Sequence, residues 1–200
     1  MRPHGGEEMF IKDWKKDIFT IPNILSLFRL ILIPVYTVIY LNATESREYF
    51  LAGAILAVSC LTDMVDGQIA RRFNMISNIG KVLDPLADKM TQLALTVSLS
   101  IKYPVLRSVL ILFVVKEVFQ ATVMCVMFRR GKVLPGAILP GKICTTVLFI
   151  SLILLVLLPN LSLQVVNAIA IIDAIFLSYA FISYIFAYFG KNTKLQDFEA

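Results

Sequence analysis

The sequence predicts an all-α, polytopic membrane protein with six transmembrane helices and a short N-terminal interfacial helix. Of its 200 residues, 58% are hydrophobic and only 16% are charged, whereas a soluble domain is about half apolar and about a quarter charged. The mean hydropathy is +0.79. Long runs without a charged residue, such as residues 147–158, do not alternate as the strands of a membrane barrel do. These features together favour membrane-spanning helices.

The chain begins with a polar segment, residues 1–20, that we expect to be cytoplasmic. Within residues 7–18, Met9, Phe10 and Trp14 recur at helical spacing, and lysines occupy other parts of the helical wheel. This pattern predicts a short amphipathic helix in the membrane interface, with a frayed polar tail as the alternative. No continuous apolar segment precedes the first span, so no cleavable signal peptide is evident.

Six apolar segments follow in a membrane domain at residues 21–190, and residues 191–200 form a predicted cytoplasmic tail. Each segment can cover a hydrocarbon core of roughly 30 Å, which needs about 20 residues. A backbone in lipid must satisfy its own hydrogen bonds, which favours helices. The predicted spans are about 21–41, 49–71, 79–101, 104–127, 140–158 and 164–189.

The basic residues predict the orientation of these spans. Thirteen of the nineteen Lys and Arg residues fall in the two termini and in the second-to-third and fourth-to-fifth connections, and three fall on the opposite side. Connections rich in Lys and Arg stay in the cytoplasm. We therefore expect a multi-pass protein of the plasma (cytoplasmic) membrane with both termini cytoplasmic.

Composition excludes two other classes of site. The net charge of +5 comes without a nucleic-acid-binding motif and is explained by basic loops that face anionic lipid. The three cysteines are far apart, and the only histidine is His4. A zinc site is therefore not expected.

Four carboxylates interrupt the second and third apolar segments. Charged groups inside membrane spans are costly, and they indicate function by default. Asp63 and Asp66 are three residues apart, and Asp84 and Asp88 are four apart, so each pair shares one helix face. A hairpin centred near residue 75 places Asp66 opposite Asp84 and Asp63 opposite Asp88, just below the cytoplasmic surface.

Four acids in one cavity need compensation by cations. The nearest basic residues, Arg71, Lys81 and Lys89, are fewer than the acids and partly off the stripe, although a structural salt-bridge cluster is an alternative. Oxygen-only ligands suit two Mg²⁺ or Mn²⁺ ions. Two such metal ions predict phosphoryl transfer on a lipid-accessible substrate. The spacing of the aspartates alone does not identify that substrate.

The run from Asp63 to Asp88 resembles the CDP-alcohol phosphotransferase motif, D-x-x-D-G-x-x-A-R-x8-G-x-x-x-D-x-x-x-D. Every fixed position of that motif is matched. The resemblance implies that the four aspartates bind metal and that Asp88 also acts as the general base on the acceptor hydroxyl. It further implies a CDP pocket shaped by four residues. These are Gly67, Ala70, Arg71 and Gly80.

The acceptor is predicted from similarities elsewhere in the chain. The opening IPNILSLFRLILIP, with Asn23 and Arg29, is similar to the start of phosphatidylglycerophosphate and cardiolipin synthases. An arginine in a span needs a carboxylate or phosphate partner, or it extends to the surface. Lys116-Glu117 and Gly141-Lys142 resemble segments of the same enzymes. The resemblance implies that the acceptor or its phosphate is bound by Asn23, Arg29, Lys116 and Lys142. Cys144 and Leu148 depart from that pattern.

The resemblance implies transfer of a phosphatidyl group from CDP-diacylglycerol to sn-glycerol 3-phosphate, which gives phosphatidylglycerophosphate and CMP. Phosphatidylglycerol or another polyol or its phosphate is an alternative acceptor, and a carboxylate-lined ion transporter is an alternative of another class. Membrane lipid is the expected surrounding, and a homodimer is an alternative to a monomer. Asp173 in the last span matches no motif, so it is assigned either a polar contact within the bundle or an ion pair with Lys116.

Overall fold

The computed structural model describes residues 20–72, 80–129, 132–133, 138–189 and 196–197. The predicted interfacial helix at residues 7–18 lies outside these residues. The described residues form six helices, which confirms the all-α prediction at this level. The helices are α1 Ile21–Asn42, α2 Ser46–Arg72, α3 Gly80–Lys102, α4 Leu106–Arg129, α5 Leu139–Leu157 and α6 Leu163–Phe189.

A short strand pair accompanies the helices. β1, Lys132–Val133, pairs antiparallel with β2, Gln196–Asp197. The sequence did not predict this pair, because two-residue strands are too short to show the alternating pattern that marks a strand.

Four of the described helices are long and apolar enough to cross a membrane. They are α1, α4, α5 and α6. Large apolar side chains such as Ile31 and Phe186 are exposed on them, as suits contact with lipid. α2 and α3 are of similar length but less apolar, because Asp63, Asp84, Asp88 and other charged residues interrupt their apolar runs. Six membrane-spanning helices therefore stay a prediction.

One packed unit ends at Ala94 and contains α1, α2 and the first part of α3. α1 packs against α2, and the small Ala52 is fully buried in α2, which lets helices approach closely. The ring of Tyr40 in α1 packs edge-on against Tyr49 in α2, with ring centroids 5.5 Å apart. This packing sets the face of α1 that the candidate site uses.

The second packed unit begins at Leu95. Within it, α6 packs against both α4 and α5. Its core is aliphatic and includes Leu152 of α5 and Leu177 of α6. The hydroxyl of Tyr103 donates a hydrogen bond of 3.0 Å to the carbonyl of Pro159, which joins the segment before α4 to the segment after α5.

Candidate active site

The buried face of α1 carries three polar residues. Asn23, Ser26 and Arg29 recur every three residues, so they lie along one side of the helix, and all three are buried. Buried polar side chains in a membrane protein need partners. This stripe therefore identifies the side of α1 on which a polar site forms.

Arg29 joins α1 to α2 and α3 through carboxylates. Its Nη1 donates to Oδ1 of Asp63 and, over 2.8 Å, to Oδ1 of Asp88. The Arg29 side chain is only 3% exposed, whereas those of Asp63 and Asp88 are 47% and 52% exposed. Of the partners considered for Arg29, the structure places the carboxylates beside it. The buried guanidinium of Arg29 thus lies next to two carboxylates that are accessible to solvent.

Ser26 extends the same network to a third carboxylate. Its hydroxyl lies within hydrogen-bonding distance of Oδ1 of Asp84 and of the carbonyl of Pro22, which is 3.1 Å away. A hydroxyl has one proton to donate, and the charged acceptor forms the stronger bond. Nη2 of Arg29 also donates to Ser26 Oγ over 3.3 Å. We call Asp63, Asp84 and Asp88, with Ser26 and Arg29, the carboxylate cluster.

The other predicted site residues of α2 and α3 are described less fully. Gly80 is buried and begins α3. Four residues belong to α2, but their surroundings lie outside the described part of the chain. They are Asp66, Gly67, Ala70 and Arg71.

Ser26 was not predicted as a site residue from the sequence. A serine in an apolar helix carries no charge, and its hydroxyl commonly bonds to the carbonyl four residues earlier. The signal that identifies it is its position midway between Asn23 and Arg29 on one helix face. Spacing, rather than residue type, was therefore the informative feature.

The donor chemistry of the carboxylate cluster fits hard divalent cations. All ligand atoms that Asp63, Asp84 and Asp88 can offer are oxygens, which Mg²⁺ and Mn²⁺ prefer. The contacts of Arg29 use Oδ1 of Asp63 and of Asp88, and both acids are about half exposed. Among the described residues, no three acidic, histidine or cysteine side chains form a preassembled metal-binding group. Asp66, the fourth predicted ligand, is not among those whose side chains are described.

A second group of polar side chains lies in the unit that begins at Leu95. Lys116 of α4 is buried, pairs with Glu117 over 2.6 Å, and lies 5.8 Å from the ring centroid of Tyr184 in α6. Gly141 of α5 faces the same ring, and a Cβ there would stand 2.9 Å from two ring atoms. Tyr184 thus lies beside both Lys116 and Gly141.

The other residues that the sequence analysis named in this unit differ in solvent exposure. Lys142 is exposed, whereas Cys144 and Asp173 are buried. Neither carboxylate oxygen of Asp173 has a hydrogen-bond partner among the described residues, so the polar contact within the bundle stays a prediction. Lys116 has Glu117 as its acidic partner in the described part.

Comparison with known proteins decides the family. A model of the CDP-alcohol phosphatidyltransferase family matches residues 19–184, which is well over half of the chain. The chain belongs to the CDP-alcohol phosphatidyltransferase family. It is therefore a phosphatidyltransferase of phospholipid biosynthesis, and the family implies CDP-diacylglycerol and an alcohol as substrates.

Three relatives illustrate the range of acceptors in this family. The chain is 33% identical over 162 residues to the CDP-diacylglycerol–glycerol-3-phosphate 3-phosphatidyltransferase of Bacillus subtilis (strain 168), covering 75% of this chain and 82% of the relative. It is 32% identical over 163 residues to a probable phosphatidylglycerophosphate synthase of Mycobacterium tuberculosis (strain H37Rv), covering 80% and 77%. A CMP-forming cardiolipin synthase of Streptomyces coelicolor is 30% identical over 150 residues, covering 72% and 69%.

Proposed function

We propose that this phosphatidyltransferase uses sn-glycerol 3-phosphate as its acceptor and forms phosphatidylglycerophosphate and CMP at the carboxylate cluster. The observation that carries the proposal is the convergence of Asp63, Asp84 and Asp88 on the polar face of α1. Two relatives whose names specify this product match the chain over most of their length.

The reaction forms one bond to phosphorus and breaks another. The acceptor hydroxyl oxygen bonds to the lipid-side phosphorus of CDP-diacylglycerol. The bond from that phosphorus to the bridging oxygen breaks, and CMP leaves with the bridging oxygen. Asp88 accepts the hydroxyl proton as general base, which is useful because an alcohol is a weak nucleophile.

Metal ions complete the proposed site. Asp63, Asp66, Asp84 and Asp88 would hold two divalent cations, Mg²⁺ or Mn²⁺, through carboxylate oxygens. When bound, the cations supply positive charge to a diphosphate and to its leaving oxygen. Arg29 orients Asp63 and Asp88 through hydrogen bonds, and a hydrogen bond from Ser26 fixes one oxygen of Asp84. Gly67, Ala70, Arg71 and Gly80 shape the pocket for the CDP group.

The acceptor phosphate requires cationic partners, because a phosphate that leaves water must be paired. Lys116 is a buried ammonium in the helix that precedes Gly141 and Lys142, and we assign it, with Lys142, to the acceptor phosphate. The assignment of Lys116 and Lys142 favours a phosphorylated acceptor over a neutral polyol. Asn23 and Arg29, which the resemblance also relates to the acceptor, are buried on α1, and the Arg29 guanidinium pairs with Asp63 and Asp88.

Phosphatidylglycerol is the second candidate acceptor, and its use would make the protein a cardiolipin synthase. Two observations favour it. Cys144 and Leu148 stand where the phosphatidylglycerophosphate synthases that the chain resembles carry a lysine and a glutamine, and the Streptomyces coelicolor relative is a cardiolipin synthase. Fewer polar residues would suit an acceptor that is itself a lipid.

The proposed location follows from the distribution of charge. All six helices cross the plasma membrane, and the carboxylate cluster lies near the cytoplasmic surface with both termini. α2 and α3 cross because Asp63, Asp84 and Asp88 have partners within the cluster, so their charges are not left unpaired in lipid, where a charge is costly. CDP-diacylglycerol reaches the site from the bilayer, and a water-soluble acceptor reaches it from the cytoplasm.

An acceptor panel tests this proposal. The purified protein in lipid nanodiscs receives CDP-diacylglycerol and Mg²⁺ with glycerol 3-phosphate, phosphatidylglycerol or an uncharged polyol, and lipid products are followed by mass. We expect phosphatidylglycerophosphate with glycerol 3-phosphate. Formation of cardiolipin alone would assign the second candidate, and release of no CMP with any acceptor would contradict phosphatidyl transfer.

A further inference from the structure

A small cavity lies between α1, α2 and α3. Its volume is about 10 Å³, which is room for one water-sized group. Its walls are mostly apolar, with a few hydroxyl-bearing side chains. They include Leu32, Tyr36, Leu56, Ser59, Thr91 and Ala94.

Tyr36 brings an unused hydrogen-bond donor to this cavity. The residue is 3% exposed, and its hydroxyl is buried without a hydrogen-bond partner among the described residues. Thr91 in the opposite wall already donates to the carbonyl of Ala87 over 2.8 Å. A buried phenol without an acceptor is costly. The cavity has room for a hydrogen-bond acceptor, and the Tyr36 hydroxyl can donate to it.

The position of the cavity relates it to the carboxylate cluster. Leu32 and Thr91 each follow a cluster residue, Arg29 and Asp88, by three positions, which is about 4.5 Å along a helix. In α2, Ser59 precedes Asp63 by four positions, or about 6 Å. The cavity therefore lies about one helical turn from the cluster, on the same side in all three helices.

Tyr36 lies about one helical turn further from the cluster than Leu32 does, and its side chain points toward the cluster. Side chains on a helix tilt toward its N-terminus, so the phenol of Tyr36 extends toward the level of Leu32. Its ring stacks on that of Tyr40, with centroids 5.6 Å apart. Packing thus holds the hydroxyl beside the cavity.

We propose that this cavity receives an ester carbonyl of the diacylglycerol part of the lipid donor, with the Tyr36 hydroxyl donating a hydrogen bond to it. The inference rests on the proposed function, which puts the lipid-side phosphorus at the cluster. The ester groups are joined to that phosphorus by a short run of single bonds of roughly 1.5 Å each. They therefore lie about one helical turn deeper in the bilayer, and a carbonyl oxygen matches the size of the cavity.

The test compares two donors that differ only at this group. CDP-diacylglycerol has ester carbonyls, and its dialkyl ether analogue lacks them. KM and kcat for both donors are measured with the wild-type protein, with Tyr36→Phe and with Tyr40→Phe. Tyr40→Phe is the matched control, because Tyr40 is an equally buried tyrosine on the same helix that does not line the cavity.

We expect the wild-type protein to bind the diester donor about fivefold more tightly than the diether donor, as one hydrogen bond allows. Tyr36→Phe should remove this preference by raising KM for the diester alone, and Tyr40→Phe should keep it. An equal change for both donors, or none, would overturn the inference and would fit a hydroxyl that binds water or only packs. Failure of the wild-type protein to release CMP from either donor would instead contradict the proposed function and remove the basis of this inference.

Discussion

Ser26 and Asp84 are joined by a hydrogen bond although they lie 58 positions apart in the sequence. The hydroxyl is fully buried and also accepts a hydrogen bond from Arg29. One neutral side chain thus connects the arginine that holds Asp63 and Asp88 to the third acid of the cluster. Ser26 is a positioning residue in this account, and Arg29 organises two acids directly.

Replacement of Ser26 by alanine should weaken metal binding. Without its bond to Ser26, Asp84 loses a fixed orientation, and a hydrogen bond to a charged group contributes about 1.5–3 kcal/mol. We expect the Mg²⁺ concentration for half-maximal CMP release to rise about tenfold or more, while Ser26→Thr retains the wild-type value. Ser183→Ala is the matched control, because the Ser183 hydroxyl, like that of Ser26, lies within hydrogen-bonding distance of the carbonyl four residues earlier in its helix. Equal Mg²⁺ dependence of Ser26→Ala and wild type would contradict this role.

Arg29→Lys should lower activity despite the retained charge. The guanidinium contacts Asp63, Asp88 and Ser26 through two nitrogens, whereas an ammonium is a compact point charge that lacks this fork. A lysine at position 29 keeps the charge but not all of these hydrogen bonds, and each hydrogen bond to a charged group contributes about 1.5–3 kcal/mol. We expect kcat/KM to fall roughly a hundredfold, measured by CMP release.

Arg107→Lys provides the control for this change, because Arg107 is exposed near the start of α4. It should retain wild-type kcat/KM. Equal kcat/KM for Arg29→Lys and Arg107→Lys would show that charge alone suffices at position 29.

The sequence predicted much of this fold because its signals are local. Long apolar runs located all six helices to within a few residues. The carboxylates that identified the motif also lowered the hydropathy of α2 and α3, so four helices, rather than six, qualify as spans by composition among the described residues. Reflection of the α2–α3 hairpin placed Asp63 opposite Asp88, and both acids contact Arg29 in the structure.

The parts that were not predicted depend on contacts between distant residues. The bond from Ser26 to Asp84 joins two helices, and nothing in the local sequence around either residue specifies it. The strand pair between Lys132–Val133 and Gln196–Asp197 is equally non-local. The pairing of Lys116 with Glu117 depends on the conformation of the long lysine side chain. The spacing of residues in the sequence does not determine that conformation.

Gly141→Ala should destabilise the protein. A Cβ at this position would stand 2.9 Å from Cε2 and Cζ of Tyr184, and that ring is buried. Overpacking typically costs about 1–3 kcal/mol. We expect the thermal unfolding midpoint in detergent to fall by several degrees, and Tyr184→Phe should restore part of the loss. An unchanged midpoint would contradict the close packing of α5 on α6.

The orientation of the helices can be tested with single cysteines. In a background that lacks Cys60, Cys125 and Cys144, cysteines at Asn74 and Ala200 should react with a thiol probe from the cytoplasm. A cysteine at Ala43, which follows α1, should react from outside. The measurement is labelling of intact cells with a probe that does not cross the membrane, and labelling of position 74 under that condition would contradict a cytoplasmic active site.

Asp88→Asn separates a metal ligand from a general base. Chelation should stop CMP release by the wild-type protein, and added Mg²⁺ or Mn²⁺ should restore it. Asparagine keeps an oxygen but cannot accept the hydroxyl proton, and a general base contributes roughly 10²–10⁴-fold. At saturating Mg²⁺, where losses of metal affinity are compensated, Asp63→Asn and Asp84→Asn should therefore recover more turnover than Asp88→Asn.

The turnover number of Asp88→Asn at saturating Mg²⁺, with CDP-diacylglycerol and glycerol 3-phosphate in nanodiscs, tests the central claim most directly. CMP and phosphatidylglycerophosphate are quantified together, so that transfer is distinguished from hydrolysis of the donor. We expect equal amounts of both products from the wild-type protein and a turnover at least about a hundredfold lower for Asp88→Asn. Near-normal turnover of Asp88→Asn would contradict the proposed role of Asp88 as the general base.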